Sequence, residues 1–117
     1  MQDFTNLRVW HAAHQLRLEI HFATRKFPAE ERFVLTSQLR RSSGSIPANI
    51  AESCGYSGHA DSARFVQYAL GSCCETLNHL FAARDLGYLT PAQFDAFEEA
   101  LAAIRRMLLQ LLKRMRG

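Results

Sequence analysis

Apolar residues recur along most of this chain at intervals of three and four. Val9, Ala13, Leu16, Ile20, Ala23 and Phe27 form the first such series, the spacing that lines one face of an α-helix. It predicts a first helix over about residues 6–26. Pro28 closes it, because proline lacks an N–H and pushes the preceding residue out of helical geometry.

A second series runs Leu35, Leu39, Ser42 or Ser43, Ile46 and Ile50 and predicts a helix over 29–54. Its proposed start carries Glu30 and Glu31, favourable charges at the positive end of a helix dipole. The stretch Ser42-Ser43-Gly44-Ser45-Ile46-Pro47 has the composition of a loop. Because the apolar spacing continues through it, the expectation is one long helix kinked near Pro47, with Ser43 and Gly44 leaving room for a close helix contact.

Gly55, Ser57 and Gly58 mark the central connection. A third helix is then expected over 61–86, with Val66, Ala69, Cys73, Leu77 and Leu80 on one stripe. Phe65, Tyr68, Leu70 and Phe81 widen that stripe beyond what one neighbouring helix covers. Leu86-Gly87 reads as a glycine stop followed by apolar Tyr88-Leu89, which can pack back on the helix. Thr90-Pro91-Ala92-Gln93 supplies a capping residue, a proline at the first helical position and a capping-box glutamine.

The fourth helix, over 91–115, has the most regular repeat: Phe94, Phe97, Leu101, Ile104, Leu108, Leu111 and Met115, flanked by Ala100, Met107 and Leu112. Wide apolar faces on the third and fourth helices point to subunit contacts. Four such helices joined by short connections predict an all-α, antiparallel up-down-up-down four-helix bundle. Residues 1–117 would form one domain.

Composition narrows the picture. With 48% hydrophobic and 21% charged residues, the chain is far from the polar mixtures that stay disordered. Met107 to Leu112 is the longest strongly apolar stretch, too short for the roughly 20 residues of a bilayer span. Asp3 stands where a secretory signal carries positive charge, and three cysteines, Cys54, Cys73 and Cys74, leave one unpaired in any intramolecular scheme. Both features set the expectation of a cytoplasmic protein without a membrane.

Phosphate-binding glycine loops, metal-ligand pairs and nucleophile elbows are missing from the chain. His11, His14 and His21 share a helical spacing that metal ligands use, yet no carboxylate or cysteine pattern completes the set. Cys73-Cys74-Glu75 places a thiol beside a carboxylate inside a helix, where a structural, buried cysteine is the simpler reading. Glu75 is followed by Asn78, with His79 four residues on, so the Glu-x-x-His pairs of di-iron bundles are absent. The expectation is a protein that binds rather than catalyses, with no cofactor or metal.

The informative chemistry is basic. Net charge is +3. Beyond Ala100, Arg105, Arg106, Lys113, Arg114 and Arg116 face no acidic residue, and Arg40-Arg41 forms a second doublet. Arg40, Arg41, Arg105, Arg106, Lys113 and Arg114 are therefore the candidate nucleic-acid contacts, against the plainer reading of a solvated helix face. Repeating the patch around an oligomer axis would multiply phosphate attraction. An acidic protein partner is the alternative occupant.

Several motifs occur together: Phe4-x-x-Leu7-x-Val9-Trp10, Phe27-Pro28, Glu31-Arg32-Phe33, Gln38-Leu39-Arg40-Arg41, Ser45-Ile46-Pro47-Ala48-Asn49-Ile50-Ala51-Glu52, Ala69-Leu70-Gly71-Ser72, Glu75 and Leu86-Gly87-Tyr88-Leu89. As a set they resemble the four-helix-bundle family named for 23S rRNA intervening-sequence proteins. The resemblance implies a homopentamer and a second helix that passes through Pro47. Members are encoded within intervening sequences of rRNA genes or as free-standing genes, and their biochemical role is undefined. A related branch resembles the accessory protein of diversity-generating retroelements, which binds a reverse transcriptase, a polymerase, and nucleic acid through basic surfaces. Two positions depart from the pattern: Ser53 stands where a glycine is usual, and the arginine often found near Tyr56 is missing.

Overall fold

In the computed structural model, which describes residues 2–117, the chain forms four helices: α1 (Arg8–Thr24), α2 (Leu35–Ser53), α3 (His59–Asp85) and α4 (Pro91–Arg116). Among the described residues there is no strand. Each helix packs against the next, and α1 also packs against α4. The particle is elongated, 44 × 24 × 20 Å.

The seams read from the sequence form its core. Val9, Ala13, Leu16 and Ile20 of α1 are buried, as are Leu39, Ile46 and Ile50 of α2, Val66, Ala69, Cys73 and Leu80 of α3, and Phe94 through Leu111 at every seam position of α4. Leu112 is buried beside that seam, while Ala100, Met107 and Met115 pack partly against it. Each buried leucine or isoleucine contributes about 1.5–3 kcal/mol relative to exposure. The four seams together therefore dominate the stability of the fold.

Local signals placed two boundaries closely. Thr90 accepts from the Gln93 N–H (3.1 Å) while Gln93 Oε1 accepts from the Thr90 N–H (2.9 Å), a complete capping box. At the end of α3, Gly87 adopts φ 81°, the left-handed region where a side chain is penalised. The Tyr88 N–H then reaches Ala83 O (2.9 Å) and the Gly87 N–H reaches Arg84 O (3.0 Å), the paired bonds of a Schellman stop. Leu89 packs back as expected and is buried.

The second helix departs from expectation at its start. It begins at Leu35, and residues Ala29–Glu31 form a short 3-10 turn instead. Val34, at φ −121° and ψ −99°, breaks the path. Its N–H takes the Glu31 carbonyl (3.0 Å), the acceptor a continuous helix would give to Leu35. The Leu35 N–H turns to the Glu31 carboxylate at 3.4 Å, which also accepts from the Tyr88 hydroxyl at 2.8 Å. Glu31 thus ties the α1–α2 connection to the α3–α4 turn, and Phe33 is left 85% exposed. Smaller differences at the other ends, such as α3 opening at His59, fall within ordinary fraying.

From Leu35 onward α2 runs unbroken through Pro47 to Ser53. Ser42, Ser43, Gly44, Ile46 and Pro47 are all buried, so tertiary packing outweighs the poor helix propensity of this stretch. Hydroxyl groups within it find partners: Thr76 on α3 donates to Ser72 O (2.8 Å) and lies 2.9 Å from Ser42 Oγ. Ser53 is buried, donating to Ile50 O at 2.6 Å. Among the described residues no helix is long and apolar enough to cross a membrane.

Candidate polyanion-binding groove

The six basic residues singled out from the sequence do not form one patch. Arg41 is ion-paired with Glu75, which His79 also contacts at 3.2 Å. Arg105 lines a cleft between α3 and α4 together with Asp95, Glu98 and Glu99. Arg114 lies beside Leu7 and Leu111, next to the start of α1. Lys113 borders a shallow apolar depression with Leu109, Leu112 and Arg116. Arg106 is exposed on α4. Arg40 enters a concave surface that it shares with two further arginines and no acidic residue.

That surface is a groove of about 420 Å³ between α1 and α2, lined by His14, Arg17, Leu18, His21, Phe22, Arg25 and Arg40. Helix geometry explains the convergence. His14, Arg17, His21 and Arg25 follow one another at spacings of three and four, and so share a face of α1. Arg40 arrives from α2, where its Nε donates to Thr24 Oγ1 (2.9 Å) and its guanidinium reaches His21 O (3.3 Å). The His21 carbonyl lies in the last turn of α1, so the cation also meets the negative end of that helix's dipole. Arg17 lies flat over Gly44: a Cβ built there would fall 2.9 Å from Arg17 Nη2 and 3.2 Å from Cζ.

The electrostatics follow from this crowding. Arg40 first, then desolvation, Arg25 and Arg17, hold the His21 imidazole below its ordinary range. Among the described residues none of Arg17, Arg25 and Arg40 has a carboxylate within ion-pair distance. Arg25 sits 4.9 Å over the Phe22 ring, which nevertheless stays 55% exposed.

The histidines read as a possible metal face do not converge. His11 Nε2 is 2.7 Å from Thr5 O, and His14 stacks on Trp10 at 4.8 Å. Among the described residues no three of His, Cys, Asp and Glu gather as metal ligands. Cys73 is buried, and burial pushes its thiol up to about 12. The buried, structural reading thus holds for Cys73 and not for Cys74, which is exposed because the next position on the helix turns about 100° away.

Arg17, Arg25, His14 and Phe22 were not picked out by doublets or by local net charge. Their signal lay in helical spacing alone, interrupted in the linear sequence by Glu19.

Comparison with known proteins agrees with the architecture. None of the curated proteins matches the chain. A crystal structure of a protein of unknown function from the S23 ribosomal protein family of Bacteroides thetaiotaomicron superposes with a TM-score of 0.82 at 24% identity, covering 90% of this chain and 95% of that one. That likeness shows the shared helical fold. The family model described as 23S rRNA-intervening sequence protein matches residues 5–110, which takes in all of α1, α2 and α3 and most of α4. The chain belongs to the 23S rRNA-intervening sequence protein family.

Proposed function

We propose that this protein is a non-enzymatic binding protein that assembles with copies of itself and holds the backbone of RNA or DNA on basic surfaces. The observation that carries this reading is the α1–α2 groove, lined by three arginines and two histidines and by no carboxylate. Unpartnered cations attract a polyphosphate in proportion to the number engaged. The family's association with rRNA sequence makes RNA the first polymer to test.

The subunit in this proposal is an antiparallel up-down-up-down bundle. Contacts running in opposite order along successive helices support it: Arg17 meets Gly44 while Thr24 meets Arg40, and Ser42 meets Thr76 while Ser45 meets Ser72. Assembly into a pentamer follows the family resemblance. Its contacts would use α3 and α4, where Tyr68, Phe81 and Leu109 remain exposed and a cleft of about 550 Å³ passes Leu77, Leu101 and Ala102. The free cysteines suit a reducing cytoplasm.

Binding to a mixed RNA pool, followed by fluorescence anisotropy across a salt series, tests the function. Affinity should fall linearly on logarithmic axes as salt rises. Affinity no tighter than about millimolar, or indifferent to salt, refutes it. Light scattering that gives a monomer refutes the assembly. An acidic protein recovered from the native host with no nucleic acid would assign the cations to a polymerase-like partner instead.

A further inference from the structure

Phe22 is the odd member of the α1–α2 groove. A phenyl ring left 55% exposed gives up most of the stabilisation that burial of a side chain of this size supplies. The Arg25 guanidinium lies 4.9 Å over the ring, the His21 imidazole stands edge-on to it at 5.9 Å, and Leu18 lines the same groove. Arg40 is pinned by two hydrogen bonds and Arg17 lies across Gly44, so one of the three guanidiniums is held in place before any ligand arrives and a second rests beside it. Pre-positioned donors lose less entropy on binding. From Arg17 to Arg25 the face extends about 12 Å along the helix, the length of three to four stacked nucleotides.

A row of cations around an open aromatic face is the combination that binds single strands, where phosphates track the charges and an unpaired base stacks on the ring. Duplex bases are paired and stacked on one another, so a duplex offers Phe22 no free base face. Duplex RNA also presents mainly its backbone and shallow groove. An acidic peptide would engage the arginines but has no regular planar group for the ring.

We infer that the α1–α2 groove selects single-stranded nucleic acid, seating phosphates on Arg17, Arg25 and Arg40 and a base against Phe22. This deepens, and rests on, the nucleic-acid reading above.

Anisotropy with a fluorescent uridine 12-mer, a 12-base-pair RNA duplex and a poly-glutamate competitor tests it on the full chain. The single strand should bind at least about tenfold more tightly than the duplex at equal salt, the effect of roughly one stacked base. Phe22→Ala should weaken the 12-mer about tenfold with the salt slope unchanged, and Phe22→Trp should restore it. Arg17→Gln with Arg25→Gln should lower the slope by about 1.4, two phosphates at about 0.7 each for single strands. Arg64→Gln removes a charge already paired with Asp61 at 3.5 Å and should leave the slope alone. Circular dichroism melts would confirm that these exposed substitutions leave the fold intact.

Equal affinity for duplex and single strand, a Phe22→Ala protein that binds as wild type, or displacement of the 12-mer by poly-glutamate of equal charge each overturns the inference. RNA binding that is salt-dependent yet survives all the groove substitutions sinks the groove and leaves the broader function standing. No salt-dependent binding by the wild type sinks both.

Discussion

Gly44→Ala separates helix stability from the placement of Arg17. Gly44 is buried in the interior of α2, where glycine costs about 0.5–1 kcal/mol relative to alanine through lost backbone entropy. Its φ is not positive, so alanine fits the backbone. The three atoms nearest a new Cβ belong to Arg17, with Nη2 at 2.9 Å, Cζ at 3.2 Å and Nε at 3.4 Å. These are the far end of a flexible, exposed side chain, which moves aside without disturbing the core. The variant should therefore be more stable by about 0.5–1 kcal/mol, an increase of roughly 2–4 °C in melting temperature for a chain of this size. Thermal and urea denaturation at matched protein concentration reads it, since self-association would make both depend on concentration. The same variant unseats Arg17 and should weaken binding of the uridine 12-mer. A destabilisation of more than about 1 kcal/mol would refute the reasoning, because it would mean that packing, rather than a guanidinium, fills the space over Gly44.

Thr90→Ala removes the hydroxyl that accepts from Gln93 N–H and should cost about 1 kcal/mol, read as a lower urea midpoint with an unchanged slope; an unchanged midpoint would contradict it. Alkylation at pH 8 followed by mass spectrometry should label Cys74 rapidly and Cys73 only on unfolding, since burial holds the Cys73 thiol at about 12; comparable rates at the two sites would refute this. His21, chiefly through Arg40, and His79, chiefly through desolvation and then Arg41, are held below the ordinary value of 6.5. The unfolded chain therefore binds more protons as pH falls through 6.5, and stability should decline below that pH while staying level above it. A urea midpoint at pH 5.5 no lower than at pH 7.5, or a drop unchanged by His21→Gln with His79→Gln, would count against the two histidines.

Most of the fold was legible because its determinants are periodic. The α4 seam, the Thr90 capping box and the Gly87 stop are local patterns, and each appears in the structure where the chain implies it. The start of α2 was not legible for a physical reason. Glutamates at Ala29 to Glu31 suit a helix start, but Glu31 spends its carboxylate on Leu35 N–H and Tyr88 Oη, and Tyr88 lies 57 residues further along the chain. No local rule anticipates a partner at that separation.

The candidate site shows the same division between local and long-range information. Charge doublets directed attention to Arg41 and Arg105, yet Arg41 pairs with Glu75 from α3, and Arg105 shares its cleft with Asp95, Glu98 and Glu99 from earlier turns of α4. A cation is available to a ligand only to the extent that the fold leaves it unpaired, and pairing is a tertiary property. The groove, in turn, depends on the stretch of α2 that looked least helical. Gly44 has no side chain to hold Arg17 away, and buried Ile46 and Pro47 keep the helix seated. The residues that weaken α2 as an isolated helix thus leave a low surface beside α1, over which its arginines can lie. A larger residue than alanine at position 44 should accordingly affect binding more than stability, until its side chain outgrows the space Arg17 can vacate.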